Sequence, residues 1–434
     1  MKKVLIITYY WIPSGGAGVQ RWVKFTKYLR DFAWEPIIYT PENPEYPVID
    51  KSFENDIPSD IVVLKQPIWE PYDIYRKLTG KKNEAIKAGF ISEKKAQSWK
   101  DKLSIWIRGN FLIPDPRRFW IKPSIHYLTN YLNDNPVDAI ITTGPPHSMH
   151  MIGLGLKKRF PNLTWIADFR DPWTKIYYHK DLKLTKLSNK IHHDLEKKIV
   201  QSADAMVVVS KGMESDFLKL SPKKLKIITN GFDENDFPKE KIELNKKFAI
   251  SYIGLLTKYQ NPETLWKVLS ELCSENSEFS EDLQLVFAGN RDNSVDKSLQ
   301  NYNLNKYITE HGYVSHDKAI ELQRSTQVLL LLLINDKETA KGVLTGKFFE
   351  YIAANRPILA IGSTESNIAE ILTETQAGKI ADYDDAELTK KIILEYYKQY
   401  KNANLKIESS STKQFSRRNL TFQLTELLTE TSIY

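Results

Sequence analysis

Short apolar runs alternate with amphipathic segments along nearly the whole chain, and this rhythm is what most constrains its fold. In the first half, strands are expected at Val4–Thr8, Pro36–Tyr39, Ile61–Leu64, Val137–Thr142, Trp165–Asp168, Ala205–Val209 and Leu225–Ile228. Helical periodicity lies between them, at Val19–Phe32, Ile152–Arg159 and Ile191–Gln201. The rhythm restarts at Phe248–Ile253 and continues through Leu283–Ala288, Tyr307–His311, Val328–Ile334 and Ile358–Ile361, with helices at Pro262–Leu272, Lys318–Gln323 and Lys347–Ala354. Parallel strands need a crossover, which a helix supplies, so strand–helix alternation predicts α/β architecture with doubly wound parallel sheets.

Two stretches break the pattern. Residues 66–125 carry Trp69, Trp99, Trp106 and Trp120 among Arg108, Arg117, Arg118 and Lys122, and read as an inserted aromatic and basic subdomain. Its aromatics either pack a local helical core or form a patch for an acceptor or a membrane surface. The second break, Gly231–Lys247, is charged and lacks apolar periodicity, as a linker would. A chain of 434 residues exceeds one ordinary core. We therefore expect domains at 1–235 and 236–410, with 411–434, including a last helix Gln414–Leu428, completing the chain.

Composition excludes several classes. The single cysteine, Cys273, rules out an intramolecular disulfide and a cysteine zinc cluster. The apolar run Val328–Ile334 is far shorter than the roughly 20 residues of a spanning helix, and the N-terminus reads as a buried strand. The expectation is a cytoplasmic protein. A net charge of +7 permits loose association with anionic surfaces, or reflects a generally lysine-rich composition.

The chemistry-bearing segments sit where strands end. Val343–Gly362 places Thr345, Gly346, Lys347 and Glu350 at the start of a helix after an apolar strand. A helix N-terminus offers open N–H groups and a positive dipole end, which suit a diphosphate; a carboxylate one turn inside reaches a vicinal diol. After the first strand, Gly15, Gly16 and Gly18 form a loop without Rossmann or P-loop spacing; it is either a phosphate approach or a tight packing turn. Gln20 and Arg21 follow on the next helix.

In Thr142–His150, a Gly-Pro-Pro loop presents His147, either to a sugar hydroxyl, to an acceptor proton, or as a surface loop side chain, whereas His150 reads as structural. Asp168, Arg170 and Asp171 crowd another strand end, as a loop-fixing ion pair or an acceptor site. Lys258 follows Tyr252-Ile-Gly254, either neutralising a diphosphate or sitting exposed in a loop. Phe287-Ala-Gly289 and His311-Gly-Tyr-Val314 suit a nucleobase slot read by the backbone of Tyr313 and Val314. His192-His193 and Asp382-Tyr-Asp384 carry no expected metal.

In this order these segments, with Asn230-Gly231-Phe-Asp233 and Thr345–Tyr351, resemble the family 4 retaining glycosyltransferases of the GT-B fold. The resemblance implies two Rossmann-like domains facing a central cleft, the donor held mainly by the second, the acceptor mainly by the first, and a C-terminal helix returning to the N-terminal domain. Glu350 then matches the second glutamate of the family's Glu-x7-Glu pattern and binds ribose. The first falls at Gly342, leaving Glu338 or the amides of Val343–Gly346 as substitutes. The diphosphate-binding arginine falls at Leu255, leaving Lys258 with Lys347 as partner.

The implied reaction moves a hexosyl group from a nucleoside-diphosphate sugar to a hydroxyl with retention, without cofactor or metal. Catalytic roles fall to His147, Lys258 and Lys347; donor binding to Gly15, Gly16, Gly254, Tyr313, Val314, Thr345, Gly346 and Glu350; acceptor binding to Arg21, Asp168, Arg170 and Asp171. The expected acceptor is a saccharide or lipid-linked saccharide in surface polysaccharide assembly, with the inner membrane face as a peripheral site and no nucleic acid partner. The rivals are a sugar-nucleotide epimerase, which would convert donor alone, and a non-catalytic nucleotide-sugar-binding partner, which would bind donor without turnover.

Overall fold

A computed structural model describes residues 1–46, 49–50, 52–71, 99–237, 240, 242–335, 344–407 and 411–432. The chain forms two compact units, Met1–Thr229 with Arg418–Tyr434, and Asn230–Arg417. The first boundary lies at 229/230 rather than 235/236, because Asn230 already bonds within the second unit, donating to the Leu344 carbonyl at 3.5 Å. The second lies at 417/418 rather than 410/411, since residues up to Arg417 still pair with the second unit: Arg417 N–H donates to Phe232 O at 2.7 Å.

The first unit is a seven-stranded sheet in the order β3-β2-β1-β4-β5-β6-β7. Its strands are β1 Lys2–Ile7, β2 Trp34–Pro41, β3 Val62–Gln66, β4 Ala139–Gly144, β5 Thr164–Phe169, β6 Ala205–Val208 and β7 Leu225–Ile227. Every pairing is parallel, with Ile6 opposite both Ile38 and Ile141. Alternate residues of β1 feed different cores: Leu5 and Ile7 on one face, Val4 and Ile6 on the other. A sheet covered on both faces accounts for runs that are apolar throughout rather than alternating. The last helix, Arg417–Thr431, lays Leu420, Leu424, Leu427 and Leu428 into the core that holds Val4 and Ile6. That period of three to four residues is an amphipathic helix face.

Within the inserted region, residues 72–98 lie outside the described residues. The remainder divides. Trp120, on the helix Arg118–Asp134, is buried and stacks on Tyr39 at 4.8 Å. The helix Trp99–Phe111 instead exposes Trp99, Leu103, Trp106, Ile107 and Phe111, and Trp69 packs edge-on against the exposed Phe119 at 4.8 Å. Trp120 thus packs in a core, whereas the aromatics of the helix Trp99–Phe111 are exposed. Among the described residues no helix is long and apolar enough to cross a membrane.

The second unit is a six-stranded parallel sheet in the order β10-β9-β8-β11-β12-β13. The strands are β8 Phe248–Ile253, β9 Leu283–Ala288, β10 Ile308–Glu310, β11 Val328–Leu332, β12 Ile358–Ile361 and β13 Gly378–Ala381. Strand order reverses between β1 and β4 in the first unit and between β8 and β11 in the second. In open α/β sheets such reversals leave a crevice at the strand C-termini, because the flanking helices cross to opposite faces.

Candidate functional site

In the second unit the crevice is lined by glycines. Gly254, Gly289 and Gly312 follow β8, β9 and β10, with φ of 127°, 106° and 61°. A Cβ on Gly289 would lie 2.5 Å from the Gly254 carbonyl oxygen, so only glycine permits this approach. Backbone bonds tie the row together: Gly254 N–H donates to Ala288 O at 2.7 Å, and Gly289 N–H to Gly312 O at 2.5 Å.

Lys347 closes over this floor. It sits in the first turn of the helix Gly346–Ala353, which follows β11 across the reversal point. A Cβ on Gly254 would meet the Lys347 ammonium nitrogen at 2.6 Å, and that nitrogen lies 4.0 Å from the Tyr252 ring centroid. Burial pushes the Lys347 ammonium down to about 8, with the Glu350 carboxylate opposing the shift. Among the described residues Lys347 forms no ion pair with an acid, so its charge, held against an aromatic face and backbone, is incompletely neutralised. Thr345 is the N-cap, yet its side chain makes no capping bond, so the first-turn amides of this helix lack a side-chain acceptor.

Glu350 stands one turn further on, half-buried, and accepts from Gln323 Nε2 at 3.2 Å. Tyr351 anchors the helix to the strand: its hydroxyl accepts from the Ile253 N–H at 3.0 Å. The sequence reading holds Tyr252 and Tyr351 only as members of motifs and Gln323 only as a helix end, none of them as a group of the site. Their only signal is position, beside a strand-end glycine or on a neighbouring helix face.

Other donor candidates are placed differently. The Tyr313 side chain is 88% exposed, whereas Val314 packs against the core containing Leu344 and Phe348. Lys258 is exposed in a short 3₁₀ turn and lies over the Tyr259 ring at 4.7 Å. Gly342 and Glu338, with the amide of Val343, lie outside the described residues.

In the first unit, Gly15 and Gly16 precede the helix Ala17–Leu29, with Gly16 as N-cap at φ 100°. Arg170 packs on Gly18 in that helix's first turn and donates to the carbonyls of Gly144 and Pro145. Asp171 is exposed beside it.

Arg21 and Asp168, expected at the acceptor, are buried against each other. They form a buried ion pair, Arg21 Nη2 to Asp168 Oδ1 at 2.9 Å, with side chains 1% and 2% exposed. Asp168 also accepts from Trp22 Nε1 at 3.0 Å and Thr143 Oγ1 at 2.8 Å, and Arg21 donates to the carbonyls of Ile228 and Thr229. A charge this deep survives only when its bonding capacity is met from within, and here it is met by the protein. The loop-fixing ion pair therefore joins Asp168 to Arg21, not to Arg170.

His147 is buried rather than a surface loop residue, at 7% exposure. Its ring stacks on Trp173 at 4.7 Å and 2°. Trp173 Nε1 in turn donates to His192 Nδ1 at 3.0 Å, which makes His192 structural. Burial holds the imidazolium of His147 well below its ordinary range, so the ring is neutral.

Residues 232–413 match the family model described as Glycosyl transferases group 1. No curated protein matches the chain. Among solved structures, a sucrose-phosphate synthase from Thermosynechococcus elongatus matches with a TM-score of 0.60 at 13% identity, covering 99% of both chains. A glycosyltransferase from Rickettsia africae matches with a TM-score of 0.61 at 14% identity, covering 99% of this chain and 98% of that one. Anabaena HepE, solved in complex with UDP-glucose, matches with a TM-score of 0.60 at 11% identity, covering 99% of this chain and 100% of that one. At such identities the likeness speaks for the fold. The chain has the GT-B fold, two parallel-sheet Rossmann-like domains, and its second unit holds the stretch that matches the glycosyl transferases group 1 model.

Proposed function

We propose that the chain transfers a hexosyl group from a nucleoside-diphosphate sugar to a hydroxyl acceptor with retention of configuration, as a family 4 enzyme would. The observation that carries this reading is the set of Lys347 on Gly254, the open helix start at Thr345–Gly346, and Glu350 one turn along.

In this reading the diphosphate lies on the glycine row, with the first-turn amides and the Lys347 ammonium on its oxygens. Glu350 takes the ribose diol, and Gln323 holds that carboxylate in place. As the sugar–phosphate bond breaks, charge grows on the departing diphosphate. Fixed donors in a site of low dielectric stabilise that charge more than they stabilise the ground state. Lys258 is a second, more exposed cation for the same anion. In retaining chemistry of this kind the departing diphosphate receives the acceptor proton, so the protein needs no strong base. His147, neutral in its aromatic stack, contacts the sugar rather than titrating.

The acceptor is a lipid-linked saccharide in surface polysaccharide assembly, met at the cytoplasmic membrane face. The support is the exposed set Trp69, Leu103, Trp106 and Phe111, beside Lys102, Arg108 and Arg118. Aromatic and aliphatic side chains flanked by cations favour an anionic lipid interface.

Calorimetry with UDP-, GDP-, ADP- and dTDP-sugars, followed by an assay for released nucleoside diphosphate, tests the reading. One donor is expected to bind and, with acceptor, to turn over. Glu350→Ala should weaken its binding by roughly 1.5–3 kcal/mol, the worth of a charged hydrogen-bonding group. Binding of none of the donors, or an unchanged affinity for the variant, would refute the site.

A further inference from the structure

A lysine ends in a point charge on a long flexible stem, so something must hold the Lys347 ammonium over Gly254. Among the described residues no ion pair does so; Glu350 on the same helix is the one charged group acting on it, and only at a distance. What holds it is a ring. The ammonium nitrogen lies 4.0 Å from the Tyr252 ring centroid. The face of a π-system is negative and attracts a cation, most strongly where water is excluded. Tyr252 is 1% exposed, and burial pushes its phenol far up, so the ring is neutral. Its hydroxyl donates to the Leu255 carbonyl at 2.9 Å, which fixes the far end of the ring.

The helix that carries Lys347 is itself anchored to the same strand. Tyr351 follows Lys347 by four residues and so shares its helix face. The Tyr351 hydroxyl accepts from the Ile253 N–H at 3.0 Å. This bond fixes the base of the Lys347 stem beside β8, and the ring fixes its tip. Gly254 leaves room for that tip: a Cβ there would lie 2.6 Å from the Lys347 nitrogen and 2.8 Å from its Cε. Three consecutive residues of one strand end therefore act on one lysine, through a ring face, a backbone N–H and a missing side chain.

We infer that Tyr252 is a positioning residue of the donor site: its ring face keeps the Lys347 ammonium charged and over Gly254 before any anion arrives. Burial alone disfavours the charged form, and it already brings this ammonium down to about 8. The ring attracts the charged form and not the neutral amine, so it opposes that loss. An arriving anion then meets a charge already in place, with little stem entropy left to lose. The diphosphate as that anion rests on the proposed transferase reading; the hold of the ring on the ammonium does not.

Ring fluorination tests the hold, because fluorine withdraws charge from the π face while nearly keeping its shape. Residue 252 is replaced in the full chain by phenylalanine, then by phenylalanine carrying one, two and three ring fluorines. Carbon-13 spectra of ligand-free protein with labelled lysine Cε read the Lys347 titration, and Lys347→Met identifies its signal. Tyr252→Phe should titrate as the wild type does, near 8. Successive fluorines should lower the midpoint stepwise, by roughly one pH unit at three. Where a fluorinated chain does not fold, Tyr252→Leu, apolar but without a π face, should lower it likewise. At pH 8 the trifluorinated chain should bind UDP or GDP, whichever the wild type binds more tightly, roughly fivefold more weakly than Tyr252→Phe, and nearly equally at pH 6.5. A midpoint that ignores fluorination, or an affinity loss equal at both pH values, would mean that the ring merely packs and would overturn the inference. A midpoint that falls in a chain binding neither nucleotide would uphold it and sink the transferase reading instead.

Discussion

If Lys347 is the diphosphate cation, nucleotide affinity must fall across a pH range where no ordinary lysine titrates. Burial holds this ammonium at about 8 against an ordinary 10.5. Nucleoside diphosphate is fully ionised above pH 7, since a terminal phosphate loses its second proton near 6. The free protein therefore carries Lys347 about nine-tenths charged at pH 7 and about one-tenth charged at pH 9. A bound diphosphate restores the charged form, so binding at pH 9 must first take up a proton. The expected loss between pH 7 and 9 is about tenfold in affinity, or about 1.4 kcal/mol.

Stability of the unliganded protein should move the other way. The native Lys347 gives up its proton at about 8 and the unfolded one at 10.5, so between these values the unfolded state binds more protons. Stability therefore rises with pH through that window, by up to about 3 kcal/mol, and the gain is lost as pH falls through 8. Calorimetry with the tightest-binding nucleoside diphosphate, in buffers of different ionisation enthalpy, reads the proton uptake near pH 8.5. Lys347→Met should bind weakly and without pH dependence above 7.5. Equal wild-type affinity at pH 7 and 9, or the same slope in the variant, refutes the assignment.

Three further outcomes check other parts of the structure. Gly289→Ala forces an L-residue to φ 106° with its Cβ 2.5 Å from the Gly254 carbonyl oxygen, and should cost at least about 2 kcal/mol in urea unfolding; a change within 0.5 kcal/mol would deny the close approach. Asp168→Ala strands the buried Arg21 guanidinium and should destabilise the first unit by about 3–5 kcal/mol in thermal melts, whereas an ordinary melt with lost transfer would restore Asp168 to the acceptor site. Replacing Trp106 and Arg108 with alanine should reduce flotation with anionic vesicles severalfold without changing nucleotide affinity, and unchanged flotation would remove that patch from the membrane reading.

The second unit was largely legible because its signals are local. A buried strand followed by glycine marks a chain that turns sharply at the sheet edge, and Gly254 and Gly289 do so at positive φ. Thr345 through Glu350 needed only helix geometry to place a lysine and a carboxylate near one another. What sequence could not supply was Tyr252 beneath Lys347, or Gln323 behind Glu350: these contacts join elements 95 and 27 residues apart, and no periodicity encodes them. Short elements such as β13, Gly378–Ala381, also escaped, because a half-exposed four-residue strand carries little apolar signal.

The first unit shows where residue type misleads. Asp168, Arg170 and Asp171 read as one charged group at a strand end, yet each meets a different fate. A strand's side chains alternate between faces, so Asp168 points into the sheet's flank, where the adjacent helix brings Arg21 and Trp22 against it. Arg170 begins the loop and is free to lie on Gly18, and Asp171 reaches solvent. The decisive quantity is how many donors the fold delivers to each carboxylate. Asp168 receives them from Arg21, Trp22 and Thr143, one on Oδ1 and the rest on Oδ2, inside a buried pocket of the protein's own making. The histidines invert the case. His147 and His150 are uncharged and look inert by type, but each keeps a buried nitrogen without a hydrogen-bond partner among the described residues. In the proposed reading, ligand chemistry in this unit therefore falls to His147, whose ring the fold leaves incompletely bonded, and not to the most highly charged residues.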